Sequence, residues 1–443
     1  MLPRPLSPLN QLYRFMSYLV NANSCEWIEL DRPLDLQRLR AAAEQVTLRH
    51  PVLNSVQVRR GTRYYWKQLD GPVRVDLRYR MLTADEAENC HAQLVDNAWQ
   101  EQLPLETARP WRLHVTEAAD GRTWLQIITS HVFTDGRSAN IVARDLAAAY
   151  SAPPQSRTPD VEVQDGVRDP FALFTSTLPF RERLRLGLAA AAAIVRDALV
   201  PSDRLRLPRR ARGSTGVAFF DFGQDTWESL RSAARGAGLS VHPLILGATL
   251  RTVEQLNAEA GYRTDRLRVI DNFSLRRFAT SDDVHELYDV YAVPYTLDFD
   301  LTAGDAALVA GIRGQLDRMK RGEILRELYR QKLYMASSLL TPKKLATRMV
   351  ARHIVRSNVI CTNIGPVPED FQHFGDAAVV DYYSFSQMFP PGEIMFLFST
   401  YRSRLRLTLL YDTARVSSAT ADTVGRVIYP QLLASISRKV ADA

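Results

Sequence analysis

The stretch L-Q-I-I-T-S-H-V-F-T-D-G-R-S-A-N, Leu125 to Asn140, decides how the chain is read. Its apolar alternation stops at Ser130, and Asp135-Gly136 is a turn and helix-start signal. His131 therefore stands where a buried strand gives way to a loop, a position where a rigid scaffold holds reactive groups. An imidazole with a pKa near 6.5 takes a proton from a hydroxyl or amine at neutral pH, a step worth about 10² to 10⁴ in rate, or roughly 3 to 5 kcal/mol. Asp135 either orients that imidazole or fixes the turn. One His and one Asp are half of a metal site, and no H-E-x-x-H or similar partner stands nearby, so no metal is expected.

Outward from this segment the chain alternates between strand and helix patterns. Before it, C-E-W-I-E-L (Cys25 to Leu30) reads as a strand, and Asp35 to His50 has helical apolar spacing closed by Pro51. S-V-Q-V, T-R-Y-Y-W-K-Q-L and V-R-V-D-L-R-Y-R read as half-solvated strands, and a helix follows from Ala84 to Gln100. W-R-L-H-V is one more strand, and S-A-N-I-V-A-R-D-L-A-A-A-Y a helix. From Ser151, Pro153, Pro154 and Pro159 mark a linker that contains a basic, alanine-rich helix. The second half offers a helix from Pro243 to Ala260, the strand R-L-R-V-I-D-N-F-S-L, a long basic helical region from Gly304 to Arg356, the strand N-V-I-C-T-N-I, two closing strands and a last helix. At 443 residues, two cores are expected. The division read here is 1–165 for the motif-bearing subdomain, 166–215 for the crossover and 216–443 for the second subdomain, an α/β architecture throughout.

Composition sets the bounds. Apolar residues are 46% and charged residues 24%, the balance of a globular chain. Cys25, Cys90 and Cys361 stand far apart without metal-ligand spacing, which fits a reducing cytoplasm better than a disulfide framework. The first twenty residues are broken by prolines and arginines and read as no signal peptide, and no uninterrupted apolar run reaches membrane-spanning length. The net charge of +7 and a pI of about 9.3 favour anionic partners without choosing among them. No G-x-S-x-G, Walker or G-x-G-x-x-G element supports a hydrolase, NTPase or Rossmann reading.

The segment H-x-x-x-D-G after an apolar strand resembles the superfamily of chloramphenicol acetyltransferase, peptide-synthetase condensation domains, polyketide-associated acyltransferases and wax ester synthases. Further stretches agree in the same order: Leu48-Arg49-His50-Pro51, Asn272-Phe273-Ser274-Leu275-Arg276, Thr362-Asn363-Ile364-Gly365-Pro366, and Thr400-Tyr401 through Tyr411-Asp412. The resemblance implies two chloramphenicol acetyltransferase-like subdomains in a pseudo-dimer with an active-site tunnel between them. It implies an acyltransferase of natural-product biosynthesis whose co-substrate is a thioester of coenzyme A or of a carrier protein's phosphopantetheine, with no permanently bound cofactor. His131 would deprotonate the hydroxyl or amine acceptor. Asp135 would pair with Arg276 to hold the loop, and Gly136 would keep space beside the histidine. Asn363 and Ser130 are secondary candidates for contact with the donor or the oxyanion.

Two departures stand out. Condensation domains and wax ester synthases usually carry two adjacent histidines, and Ser130 occupies the first of those positions here, which tilts the reading toward ester formation. The D-F-G-W-G element of plant-type members is absent, Asp221-Phe222-Gly223 lying too early to match. A stand-alone condensation enzyme joining carrier-bound substrates is the rival reading, and a non-catalytic binding module of the same fold the other.

Among the remaining features, Arg318, Lys320, Arg321, Arg326, Arg330, Lys332, Lys343, Lys344, Arg348, Arg352 and Arg356 form either a solvated helical face or a landing surface for coenzyme A phosphates or an acidic carrier protein. Nucleic acid is a poorer fit, since no aromatic platform accompanies the charges. Arg181 to Val200 has the composition of a surface helix whose arginines could meet headgroups with the alanine face inward, but alanines bury little area and peripheral membrane contact is not the preferred reading. His50, His91, His114, His242, His285, His353 and His373 are read as structural.

Overall fold

The computed structural model describes residues 4–61, 63–88, 90–99, 101–153, 175–176, 178–200, 202–208, 210–278, 286–340, 356–367, 371–389 and 391–437. These form two compact units. The first comprises Met1–Ser176, Leu275–Tyr291 and Pro368–Gln387; the second comprises Thr177–Ser274, Ala292–Val367 and Met388–Ala443. The division differs from the contiguous one expected, because two segments of the second half are built into the first unit. Pro154, Pro159, Lys343, Lys344, Arg348, Arg352, His285 and His353 lie outside the described residues.

The first unit rests on a six-stranded sheet in the order His373–Phe374, Ala377–Ser386, Asn23–Leu30, Thr123–Ser130, Trp111–Ala118, Asp76–Leu82. All neighbours are antiparallel except the last pair. Every residue of Thr123–Ser130 is buried, as expected of a central strand covered on both faces. At the end of that strand Asp135 caps helix Gly136–Ser151, its side chain accepting from Ser138 N.

The second unit rests on another six-stranded sheet, in the order Ala292–Asp300, Arg266–Ser274, Val359–Pro366, Ile394–Tyr401, Arg404–Asp412, Thr215–Phe222. The two pairings made by Val359–Pro366 are parallel and the others antiparallel. Helix His242–Glu259 lies close to the expected span. The long helical region does not run unbroken: Asp305–Arg318 and Ile324–Leu340 are separate helices joined through Met319–Glu323, where Gly322 takes φ 114°. Only glycine adopts that conformation without strain.

Part of the basic segment is internal. Arg330 is buried, with Nη1 2.9 Å from Asp197 Oδ2 and 3.2 Å from Glu327 Oε2. Arg318, Lys320 and Arg326 pair with Glu323, Asp317 and Glu327. These cations of the expected landing surface are thus paired within their own stretch of chain, by acidic residues one to five positions away. Among the described residues no helix is long and apolar enough to cross a membrane.

Candidate active site

The site is built in the first unit from the end of strand Thr123–Ser130. Ser130 N donates to Pro110 O at 3.0 Å, its Oγ accepts from Val132 N at 3.3 Å, and its carbonyl accepts from Phe133 N at 3.0 Å. Within this tight turn the backbone N–H of His131 donates to Ala22 O at 2.6 Å. The imidazole lies against the phenol ring of Tyr13, with centroids 4.7 Å apart and planes within 12°. Burial lowers the His131 pKa from the usual imidazole value, opposed by backbone hydrogen bonding and by the charge of Asp135. The neutral base is therefore favoured over the imidazolium at neutral pH.

Asp135 points away from that chemistry. Its Oδ1 accepts from Ser138 N at 2.9 Å, and its Oδ2 accepts from Arg276 Nη1 at 2.7 Å and from Tyr291 N at 2.8 Å. Burial alone would raise its pKa, but the Arg276 guanidinium and these hydrogen bonds hold the carboxyl below its usual range. Arg276 is equally enclosed. Its Nη2 donates to Ser138 Oγ at 2.8 Å and to Leu287 O at 3.0 Å, and its guanidinium lies 4.5 Å from the Tyr291 ring centroid. The sequence-read residues Ser130, His131, Asp135, Gly136 and Arg276 are thus brought together in one unit.

Asn363 was read with them in the sequence. It belongs to the second unit, where its Oδ1 accepts from Gly365 N at 2.9 Å at a bulge in the strand.

Three contributors went unread in the sequence. Asn10 is fully buried and donates through Nδ2 to Val132 O at 2.8 Å and to Asp289 Oδ1 at 2.7 Å, fastening the residue that follows His131. Its own signal was present: Ser7-Pro8-Leu9-Asn10 is a helix-start pattern, and Ser7 caps Pro8–Met16 with Asn10 closing the capping box. Asp289 is buried beside it, its pKa raised by burial to about 7 against the hydrogen bonds from Asn10 and Val290 N. Tyr288 hydrogen-bonds Thr134 through its hydroxyl. Nothing local in Leu287 to Tyr291 announces these roles, which exist only through contacts 154 and 279 positions away.

His50 of the R-H-P stretch is a core group, its Nε2 2.9 Å from Asp145 Oδ2. His242 likewise meets Asp271 Oδ2 at 2.8 Å.

Two six-stranded units, with an H-x-x-x-D-G turn locked by a buried arginine, give the chain the chloramphenicol acetyltransferase-like fold. Within it, the chain has the condensation-domain fold. A family model described as Condensation domain matches residues 17–169. The first condensation domain of the calcium-dependent antibiotic synthetase, in complex with a substrate analogue, superposes with a TM-score of 0.75 over 98% of this chain and 96% of that one, at 14% identity. The X-domain from teicoplanin biosynthesis, in its complex with OxyB, gives a TM-score of 0.66 over 99% and 94% at 18% identity. In sequence, the chain is 30% identical over 227 residues to a probable non-canonical nonribosomal peptide synthetase, CymA, of Salinispora arenicola, covering 48% of this chain. The chain spans only 3% of the length of that relative.

Proposed function

We propose that this chain is an acyltransferase that moves an acyl group from a thioester of coenzyme A or of a carrier protein to a hydroxyl or amine, with His131 as the general base. The observation that carries the reading is the imidazole of His131 stacked on Tyr13, on a loop that Asp135, Arg276 and Asn10 lock. The imidazole takes the acceptor proton as the acceptor oxygen or nitrogen bonds to the thioester carbon. The C–S bond then breaks, and the departing thiolate receives the proton from the imidazolium. Gly136 begins the helix beside the turn, and a site of this kind needs space there for the reacting groups.

The matches to peptide synthetases favour a second form of the same chemistry, in which both substrates arrive on carrier proteins. Supplying one acyl group as its coenzyme A thioester and, separately, on a carrier protein distinguishes the two. Turnover of the coenzyme A thioester supports the free-standing acyltransferase, and turnover of the carrier-bound form alone supports condensation. The X-domain crystallised with OxyB motivates a protein-binding role as the contrasting outcome. Absence of turnover with either donor, together with tight binding of a partner protein, would replace the catalytic reading.

A further inference from the structure

Helix Phe180–Leu199 in the second unit has two unlike faces. Ala190, Ala193 and Asp197 are buried, and Asp197 is the pin: its Oδ2 meets Arg330 Nη1 at 2.9 Å and its carbonyl accepts from Arg268 Nη1 at 2.9 Å. The face that carries Ala190, Ala193 and Asp197 is therefore the packed one, turned inward on the protein. The outward ridge carries Phe180, Leu184, Leu188, Val195 and Leu199, each 53–75% exposed. Intervals of four, four, seven and four residues keep these side chains on one stripe of the 20-residue helix, which is about 30 Å long. A helix on a globular surface ordinarily turns charged residues outward, so a continuous apolar ridge there marks a contact surface.

Charge selects the occupant. Arg181, Arg183 and Arg185 are exposed on this helix, Arg196 is exposed but bonded to Asp197, and Glu182 is the exposed acid of the same helix. A second copy of the helix would set arginines against arginines, a repulsive arrangement. A surface both apolar beneath and negative above meets both requirements, with arginine stems lying along the apolar layer and their heads on phosphates. We propose that Phe180–Leu199 docks the protein on an anionic lipid surface, its apolar ridge entering the boundary between headgroups and acyl chains.

The test is flotation of the full chain with phosphatidylcholine vesicles, with and without phosphatidylglycerol as about a third of the lipid. The expected result is binding at least about tenfold stronger to the anionic vesicles, weakening as salt is raised. Leu184→Glu/Leu188→Glu should lower that binding by at least about tenfold while leaving the melting curve unchanged, since both side chains are exposed. Arg181→Gln/Arg185→Gln should reduce the preference for anionic over neutral vesicles. Failure of the wild type to float with anionic vesicles overturns the proposal, as does flotation that Leu184→Glu/Leu188→Glu leaves intact. Dimerisation that those variants abolish, or capture of an acidic amphipathic peptide, each without vesicle binding, overturns it in favour of a protein occupant.

Discussion

Replacing Arg276 by methionine tests how the loop that carries His131 is held. Methionine fills much of the same space, so the change removes chiefly the guanidinium and its hydrogen bonds to Asp135, Ser138 and Leu287. Asp135 then keeps only the N–H groups of Ser138 and Tyr291 as partners. Breaking one half of a buried ion pair costs about 3–5 kcal/mol. In a unit of this size each kcal/mol moves the melting midpoint by about 2–4 °C, so the first unit should melt roughly 6–20 °C lower. The loss has a pH signature. Asp135 is held below its ordinary pKa of 3.8 in the folded state, so its stabilisation is present above the unfolded value and disappears as pH falls through the folded one. Without the guanidinium the buried carboxyl would instead protonate readily, and the wild-type advantage should shrink below about pH 4. Calorimetric melts at pH 7 and near pH 3.5 read both effects, and Asp135→Asn/Arg276→Met should be less destabilised than the two single changes combined. A midpoint within a degree of wild type at pH 7, or a deficit that persists undiminished in acid, would refute the salt-bridge account.

His131→Ala should lower turnover by about 10²- to 10⁴-fold with little change in melting, and near wild-type activity would remove the base assignment. Because burial lowers the His131 pKa, the acid limb of kcat/KM should fall below pH 6.5; a limb at or above that value contradicts the neutral-base reading. Asn10→Ala strips the bonds to Val132 O and Asp289, which should cost about 1–3 kcal/mol of stability and a further loss of turnover through a loosened loop. Unchanged melting and unchanged kcat would show that Asn10 does not position the loop. Burial raises Glu26 to about 8 against hydrogen bonds from Tyr382 and Ser384. Between its ordinary 4.5 and that value the folded state binds more protons than the unfolded chain, so stability falls as pH rises through the window. Glu26→Gln should therefore melt above wild type at pH 8 and converge with it near pH 4.5, and parallel curves would exclude that ionisation.

Local signals located the turn and much of what surrounds it. The buried strand before His131 and the Asp135 cap are written in consecutive residues, because strand period and helix capping act over a few positions. Ala292–Asp300 went unread as a strand although its alternation is strict, with Val293, Tyr295, Leu297 and Phe299 buried. Pro294 argues against a central strand there, yet this strand lies at the sheet edge, where the missing N–H is tolerated. Ala377–Ser386 is different in kind. Its place beside Asn23–Leu30 depends on a partner about 350 positions earlier, and no window of sequence carries that pairing. Tyr382 and Ser384 meet Glu26 only because of it.

The same distinction bears on the proposed base. In a charge-relay arrangement a carboxylate spends an oxygen on the imidazole, and Asp135 is the only acid in the motif. Here its Oδ1 serves Ser138 N, and its Oδ2 serves Arg276 and Tyr291 N. Its contribution to His131 is the field of a buried charge, while orientation comes from the Tyr13 ring and the Asn10 tether on Val132. Ser130, where relatives often carry a second histidine, is itself buried and spends its hydroxyl on the turn. The loop thus aims a single imidazole, and its basicity is set by burial more than by a partner.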